Sequence, residues 1–419
     1  MSQHLADATN YTPITRCLAC DASTLQTYLD LGTQPLANSY HDGAASQEAY
    51  PLAAQVCPAC FHSQLSVAVN PDLLYKHYLY VSGTTRTLAD YFSWFVNLAE
   101  TDAAQAGKPL AVLDIASNDG TLLAQFLARG HTVQGVDPAE NLRVLSEKNG
   151  VPTHVGYWGA DTPAQLGRQF DVIVAMNVLG HLPYPATFLA AVSEALAPGG
   201  LVYIQTSQAD IFRNGEFDTM YHEHHSFFTL RSFRTLAERL GFKVVNVQKT
   251  PVHGNSYLWT LSRASEARTA SANVAAMEAE EASVGYYDLD TYTQFGDKAR
   301  DAAHKVAAAV ARYRAQGITV GGYGAAAKGN TFMNFAQLKL DFIVDDNPLK
   351  YGLLTPGMDI PIVAPSSLAD QPDRLVLVVL AWNFFDEIVK RVQAVRPGGH
   401  DTFIRYFPHF AETTPDEMD

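Results

Sequence analysis

Basic residues are scarce. The chain of 419 residues carries 29 Lys and Arg against 43 Asp and Glu, a formal net charge of −14. That balance excludes a non-specific nucleic-acid binder, which needs a basic stripe to meet the phosphates. Charge of either sign is sparse, at 17% of residues, where ~25% is usual. With 47% of residues hydrophobic, large cores are available and extensive disorder is excluded. No apolar run reaches the ~18 residues of a membrane-spanning helix. The opening residues, Met1 to Thr12, lack the basic region and apolar stretch of a secretory signal. A cytoplasmic protein is therefore expected. At roughly 100–200 residues per domain, the length points to two to four domains.

Cysteine is rarer still. There are 4, arranged as Cys17-Leu-Ala-Cys20 and Cys57-Pro-Ala-Cys60. Two Cys-x-x-Cys knuckles match a tetrahedral four-thiolate zinc site. The 36 residues between them exceed the ~15–20 of the compact form, so a small subdomain must lie between the ligand pairs. Two buried free pairs or a redox dithiol are the competing readings. A redox site needs one pair and usually a βαβ setting. Four protein ligands leave no open position, so the zinc is expected to be structural.

Beyond this module, expected over 1–70, the pattern alternates. Short strands such as Gln64–Val69 precede a helix over Leu88–Gln105. Then Pro109–Ile115 reads as a buried strand, Ser117-Asn-Asp-Gly120 as a turn, and Thr121–Arg129 as an amphipathic helix. Thr132–Val136, Phe170–Met176 and Leu201–Gln205 are further apolar strands, with a helix over Pro185–Leu196. This alternation predicts a doubly wound parallel α/β sheet, with Phe242–Gln248 and Ser256–Ser262 as a late strand pair. A second domain is expected over 71–262. Residues 263–419 should form a helical connection and a second α/β unit, with strands at Ile318–Gly324, Phe342–Val344 and Leu375–Leu380. The acidic tail from Phe410 is expected to be frayed.

In the first α/β unit, Asp114-Ile-Ala-Ser-Asn-Asp-Gly120 sits where ligands bind in such sheets, at the carboxyl end of a strand. Asp137 ends the next strand, 17 residues after Gly120. A carboxylate there can take both ribose hydroxyls of an adenosine. Ala116 and Asn118 stand where a diphosphate fingerprint would have glycines. A cofactor with a ribose and an amino-acid tail, S-adenosylmethionine, fits better than a dinucleotide. Ser117, Asn118, Gly120, Asp137 and Asn177 are the candidate cofactor residues. His181 follows Asn177 and lines the same presumed site.

The densest chemical group is Asp218-Thr-Met-Tyr-His-Glu-His-His-Ser-Phe-Phe228. Its spacing is not that of a helical zinc protease. A second metal site and an exposed His-rich loop are the alternatives to acid–base chemistry. His accepts a proton near neutral pH, Glu orients or polarises it, and Tyr donates to a developing oxyanion. The flanking Met220, Phe227 and Phe228 speak against a fully exposed loop.

Taken together, these segments resemble the zinc-containing sugar C-methyltransferases of deoxysugar biosynthesis, the tetronitrose C-3'-methyltransferase type. The resemblance spans the chain. It rests on the paired knuckles, Gly32-Thr-Gln-Pro-Leu-Ala-Asn-Ser39, the Ser-Asn-Asp-Gly turn, Tyr221-His-Glu-His224, Val252-His-Gly-Asn-Ser256, Gly322-Tyr-Gly-Ala-Ala-Ala-Lys-Gly-Asn330 and Val344-Asp-Asp-Asn-Pro-Leu-Lys350. It implies S-adenosylmethionine, structural zinc and a nucleotide-linked (dTDP) 4-keto-deoxysugar as substrate, methylated beside its ketone. It implies His224 as the base, with Tyr221, Glu223, His181 and Tyr80 as companions; Tyr75 and Tyr78 compete with Tyr80. Asn255 departs from the pattern, standing where a second glycine is expected.

The second α/β unit then has a purpose. Asp345 lies 21 residues after Gly324, a spacing that suits a ribose-binding acid. Tyr323, Lys328, Gly329 and Asn330 complete the candidate substrate set, with a diphosphate held at the helix N-terminus. An NAD-linked sugar oxidoreductase or epimerase is the competing enzyme class, and a zinc-domain binding module the competing non-enzyme.

Overall fold

The computed structural model describes residues 10–43, 47–75, 86–103, 108–207, 209–252 and 255–417. Tyr78 and Tyr80 lie outside these residues.

The N-terminal module contains β1 (Tyr11–Pro13), β2 (Gln26–Pro35), β3 (Ala49–Val56), β4 (Ser63–Leu65) and β5 (Val67–Val69). β2, β3 and β4 form an antiparallel sheet, and β1 pairs with β5. Leu52, Ala54 and Val56 alternate inward along β3, the period of two of a half-buried strand. The single strand expected over Gln64–Val69 is two. Ser66 is where the partner changes: its amide still donates to the Ala53 carbonyl of β3 at 2.8 Å, in register with the β3–β4 pairs, while its carbonyl accepts from the Ile14 amide at 2.8 Å, in register with β1 and β5, so the two halves pair in different sheets.

Short α1 (Pro71–Tyr75) and amphipathic α2 (Arg86–Ala103) lead into the central unit. It runs β6 (Ala111–Ile115), α3 (Thr121–Ala128), β7 (Thr132–Asp137), α4 (Glu140–Lys148), β8 (Thr153–Val155), α5 (Thr162–Leu166), β9 (Phe170–Met176), α6 (Pro185–Ala195) and β10 (Leu196–Ser207). Then come α7 (Ile211–Asn214), β11 (Ser226–Phe227), α8 (Leu230–Arg239), β12 (Phe242–Thr250) and β13 (Ser256–Arg263). The sheet order is β12-β13-β10-β9-β6-β7-β8; the five strands β6 to β10 are parallel and the expected late pair closes one edge antiparallel.

Helices α9 (Ala272–Ser283) and α10 (Leu289–Ala315) make the connection. α10 crosses β2 at Gly296, where a side-chain carbon would lie 2.1 Å from the Tyr28 carbonyl oxygen. A mid-helix glycine costs roughly 1 kcal/mol relative to alanine; here it permits the close crossing. The C-terminal unit has β14 (Thr319–Tyr323), α11 (Ala327–Ala336), β15 (Ile343–Val344), β16 (Ile362–Val363), β17 (Leu375–Val379), α12 (Phe385–Val395), β18 (Thr402–Arg405) and β19 (Ala411–Thr413). Its order is β16-β15-β14-β17-β18-β19, parallel except for β19. Numbered within each unit, the parallel strands of both sheets run 3-2-1-4-5. The strand order therefore reverses twice, between β6 and β9 and between β14 and β17, and such switch points are where ligands enter.

The tail is not frayed at Phe410. Residues 411–413 pair with β18, and Tyr313 donates to the Glu412 carboxylate at 2.6 Å. The three parts interlock. One core joins Tyr28 and Leu29 of β2, Phe217 and Met220 of the central unit, Val306 and Val310 of α10, and Phe332 and Val376 of the C-terminal unit. β11 adds itself to the N-terminal sheet beside β4. Among the described residues, no helix is long and apolar enough to cross a membrane.

Candidate active site

The two knuckles fold alike. In each, the first cysteine's carbonyl accepts from the amide four residues on, and its amide donates to the carbonyl five residues on. Asp21 and Phe61 take the left-handed conformation at the turn, with φ of 64° and 58°. This brings the four sulfurs within 4.8 Å of one another, with Cys17–Cys60 and Cys20–Cys57 each at 3.5 Å. A tetrahedron with Zn–S bonds of ~2.3 Å needs sulfurs about that far apart, so the donor set fits zinc. Among the described residues, no other His, Cys, Asp or Glu group is placed to hold a metal.

At the first switch point, three residues other than glycine have positive φ: Ala116 (60°), Asn118 (52°) and Asn177 (57°). Left-handed backbone costs an L-residue roughly 1–2 kcal/mol, less for Asn. Such cost, concentrated at two strand ends, is characteristic of ligand sites. The Asp137 carboxylate shapes the loop: Oδ2 accepts from the Asn118 amide and Oδ1 from the Ala139 amide, both at 2.8 Å. Burial raises its pKa, against those two hydrogen bonds. Gly120 serves the turn itself, since Ser146 and Val151 fill the space a side chain would need. Three buried polar atoms gather here without a hydrogen-bond partner among the described residues: Asp114 Oδ1, Ser117 Oγ and Asn177 Oδ1. Burial, then the Asp137 charge, holds the Asp114 carboxyl well above its ordinary pKa. Acceptors and a hydroxyl left waiting beside a ribose-type acid fit a ligand with hydroxyls and an ammonium, as S-adenosylmethionine has. Asp114 was outside the set read from sequence; its position as a strand-end acid within the motif was the available signal.

The histidine cluster lies in turns, so strand parity does not govern it. His222, Glu223, His224 and His225 are buried, Tyr221 and His181 are half-buried, and each is differently employed. His224 Nδ1 donates to the Thr219 carbonyl at 2.6 Å, which puts the proton on Nδ1 and the lone pair on Nε2. Burial, then the neighbouring His181, pushes its pKa well below the ordinary value, so the ring is neutral. His181 meets the His224 ring edge-to-face at 4.8 Å, and Tyr221 lies 4.3 Å from it between centroids. Burial lowers His181 to about 4. The Glu223 carboxylate accepts from Asn38 Nδ2 at 2.7 Å, and burial raises its pKa. His222 is directed away, to the Pro51 carbonyl at 3.2 Å, and His225 to the His181 carbonyl at 3.0 Å. A cleft lined by Asn177, Gly180, His181, Thr206, Ser207, His224 and Ser226 joins the cluster to the end of β9. The structure thus brings His181, Tyr221 and His224 together and adds Asn38, Thr206, Ser207 and Ser226, which sequence reasoning missed.

Asn255 explains the departure from the family pattern. Its φ is 71°, a conformation glycine adopts freely and asparagine tolerates better than other side chains. Its side chain reaches Asp210 at 3.3 Å.

At the second switch point, Asp345 Oδ2 accepts from the Ala325 amide at 2.7 Å and Oδ1 from the Asn347 amide at 2.8 Å. Lys328 sits in the first turn of α11, its Nζ 4.8 Å above the Trp382 ring and 3.7 Å from Glu216 Oε2. Tyr323 donates to Asp346 at 3.0 Å. Gly329 lets α11 approach Leu380, whose Cβ would lie 2.8 Å from an added side-chain carbon. Asn330 is a clamp: its Nδ2 donates to the Ala37 carbonyl at 2.8 Å and to Tyr40 at 3.1 Å, both in the N-terminal module.

Three family models cover most of the chain: a putative zinc binding domain over 17–75, a methyltransferase domain over 87–247 and a C-methyltransferase C-terminal domain over 251–408. The C-methyltransferase NovU of Streptomyces niveus is 32% identical over 388 residues, 90% of this chain and 92% of that protein. The ubiquinone biosynthesis O-methyltransferase of Dinoroseobacter shibae is 32% identical over 171 residues, 37% of this chain and 68% of its own. Among solved structures, the magnesium protoporphyrin IX methyltransferase of Synechocystis overlaps 42% of this chain and 81% of its own at 15% identity, with a TM-score of 0.33.

Proposed function

The chain belongs to the zinc-domain-containing C-methyltransferases and is an S-adenosylmethionine-dependent enzyme, and from that premise we propose that it methylates a carbon alpha to the ketone of a nucleotide-linked 4-keto-deoxysugar. The observation that carries the reading is the setting of His224. A neutral imidazole, fixed as the Nδ1–H form by Thr219, offers Nε2 as a proton acceptor at a cleft that reaches the cofactor-side strand ends.

The chain's residues then divide the work. Asp137 holds the cofactor ribose, while Asp114, Ser117 and Asn177 meet its polar groups. Bound S-adenosylmethionine supplies an electrophilic methyl on a sulfonium. His224 Nε2 takes the α-proton, and the C–H electron pair moves into the ketone as an enolate. Tyr221 donates to the enolate oxygen, and His181 packs against the imidazole. Glu223, held by Asn38, is the companion carboxylate that the resemblance implies. A general base of this kind contributes roughly 10²–10⁴ in rate. Lys328 and Asp345 hold the nucleotide diphosphate and its sugar in the C-terminal unit. Tyr80, which the resemblance adds to this set, lies outside the described residues.

The test is mass spectrometry of products from a panel of nucleotide-linked keto-sugars with methyl-labelled S-adenosylmethionine. One labelled methyl on carbon, transferred only to keto-sugars, is the expected result. Label on oxygen or nitrogen, or no transfer to any keto-sugar, overturns the reading.

A further inference from the structure

Asp218 lies one residue before the carbonyl that orients His224. It is 1% exposed, in the short 3-10 turn Phe217–Thr219. Its Oδ2 accepts two hydrogen bonds, both from the C-terminal unit: Trp382 Nε1 at 2.8 Å and Tyr406 OH at 2.7 Å. A carboxylate buried to this degree is stable only with strong donors, and neither donor comes from its own unit. Tyr406 is itself locked, stacked on Phe332 at 3.8 Å. Phe217 packs against Phe332 and Phe335. On the other side of the turn, Tyr28 of the N-terminal module donates to the Met220 sulfur at 3.6 Å. The turn is gripped from both neighbouring parts of the molecule.

We propose that Asp218 is a positioning residue for His224, and that the C-terminal unit completes the active site by holding it. The path is short and covalent at its centre. Trp382 and Tyr406 fix the Asp218 carboxylate, the carboxylate fixes the Phe217–Thr219 turn, and the Thr219 carbonyl then faces His224 Nδ1. Were the turn released, Nδ1–H would lose its acceptor, and the ring could place its proton on Nε2, where it cannot act as a base. Trp382 also lies beneath Lys328, so the side chain that supports the substrate-binding lysine also supports the base. The geometry assigns the C-terminal unit a second role beside ligand binding.

Two variants test this: Asp218→Ala, and Trp382→Phe with Tyr406→Phe, which removes both donors and keeps both ring bodies. The readout is the ¹⁵N spectrum of the histidine rings in the full-length protein, with the His224 signals assigned from His224→Asn. No substrate is needed. The parent should show His224 as a single Nδ1–H tautomer, and each folded variant a mixture of tautomers. A parent-like His224 spectrum in the variants overturns the proposal; if Asp218→Ala does not fold, the double variant alone decides. The kinetic part rests on His224 being the base. With the substrate the parent enzyme methylates, kcat should fall roughly 10- to 100-fold, the scale of a misplaced group, with KM within threefold. Mixed tautomers at undiminished kcat would uphold the positioning and overturn His224 as the base.

Discussion

Asp137 and Asp345 make the same pair of hydrogen bonds in successive α/β units. Each accepts on Oδ2 from an amide in the loop after the unit's first strand, Asn118 or Ala325, and on Oδ1 from the amide two residues further on, Ala139 or Asn347. Both carboxylates are anchored by main chain at the end of a second parallel strand. One difference separates them: Lys350 Nζ stands 3.5 Å from Asp345 Oδ2. Under the proposed function, these two strand ends are two ligand sites of one design.

The two acids should therefore fail independently. Asp137→Ala should weaken S-adenosylmethionine binding roughly 10- to 100-fold, the loss of one or two charged hydrogen bonds, and leave nucleotide affinity intact. Asp345→Ala should do the reverse. Calorimetric titration of each variant with each ligand decides. A variant that loses both affinities would show that the sites do not divide the ligands.

Lys328 should act on binding more than on turnover. Lys328→Ala should raise KM for the nucleotide-linked substrate roughly tenfold, since it removes a cation from the proposed phosphate position, with kcat nearly unchanged. Steady-state kinetics separate the two constants. A fall in kcat at constant KM would place Lys328 at the reacting carbon instead.

Zinc should be needed for catalysis as well as for the N-terminal fold. Elemental analysis should find about one Zn per chain. The knuckle after Cys57 leads directly into β4, whose Leu65 amide holds the His225 carbonyl at 3.0 Å. His62, two residues beyond Cys60, reaches Ser226 at 3.2 Å. Chelation should abolish turnover while S-adenosylmethionine still binds the central sheet. Full turnover by metal-free protein would contradict this.

Stability should fall in mild acid. Burial holds His181, His222 and His225 at about 4 in the folded chain, against ~6.5 when unfolded. Between these values the unfolded chain binds more protons, so the contribution is complete above pH 6.5 and lost as pH falls toward 4. Each histidine adds up to about 1.4 kcal/mol per pH unit of slope. His222→Gln, remote from the reacting groups, should reduce the slope of urea-derived stability by about one histidine's share. An unchanged slope would mean that His222 is not neutral and buried.

Much of this was legible because it is local. Each Cys-x-x-Cys pair, the strand-end acids 17 and 21 residues beyond Gly120 and Gly324, and each step in the alternation of strands and helices are written in short stretches of chain. What escaped depends on distant segments meeting. The Gln64–Val69 run looks like one strand until the Ser66 carbonyl turns to Ile14 and hands the chain from β3 to β1. Residues 411–413 look like an acidic tail until β18 pairs with them. Asn38 carries no sign in sequence of its bond to Glu223, 185 positions away. Nor does Asp218 announce Trp382 and Tyr406, 164 and 188 positions away. Motif spacing reports where chemistry is anchored, and long-range packing decides which members of a cluster face it. His222 and His224 are two residues apart, yet one is bound to the N-terminal sheet and the other lines the cleft.

The measurement closest to the central claim is exchange of the substrate's α-proton with D₂O, without S-adenosylmethionine, in the parent enzyme and in His224→Asn. Exchange isolates proton abstraction from methyl transfer. The account predicts exchange at the ketone-adjacent carbon in the parent, slowed roughly 10²–10⁴-fold in the variant, the span of a lost general base, with cofactor affinity nearly intact. Exchange at the parent rate in His224→Asn would contradict it and pass the role to His181 or Tyr221.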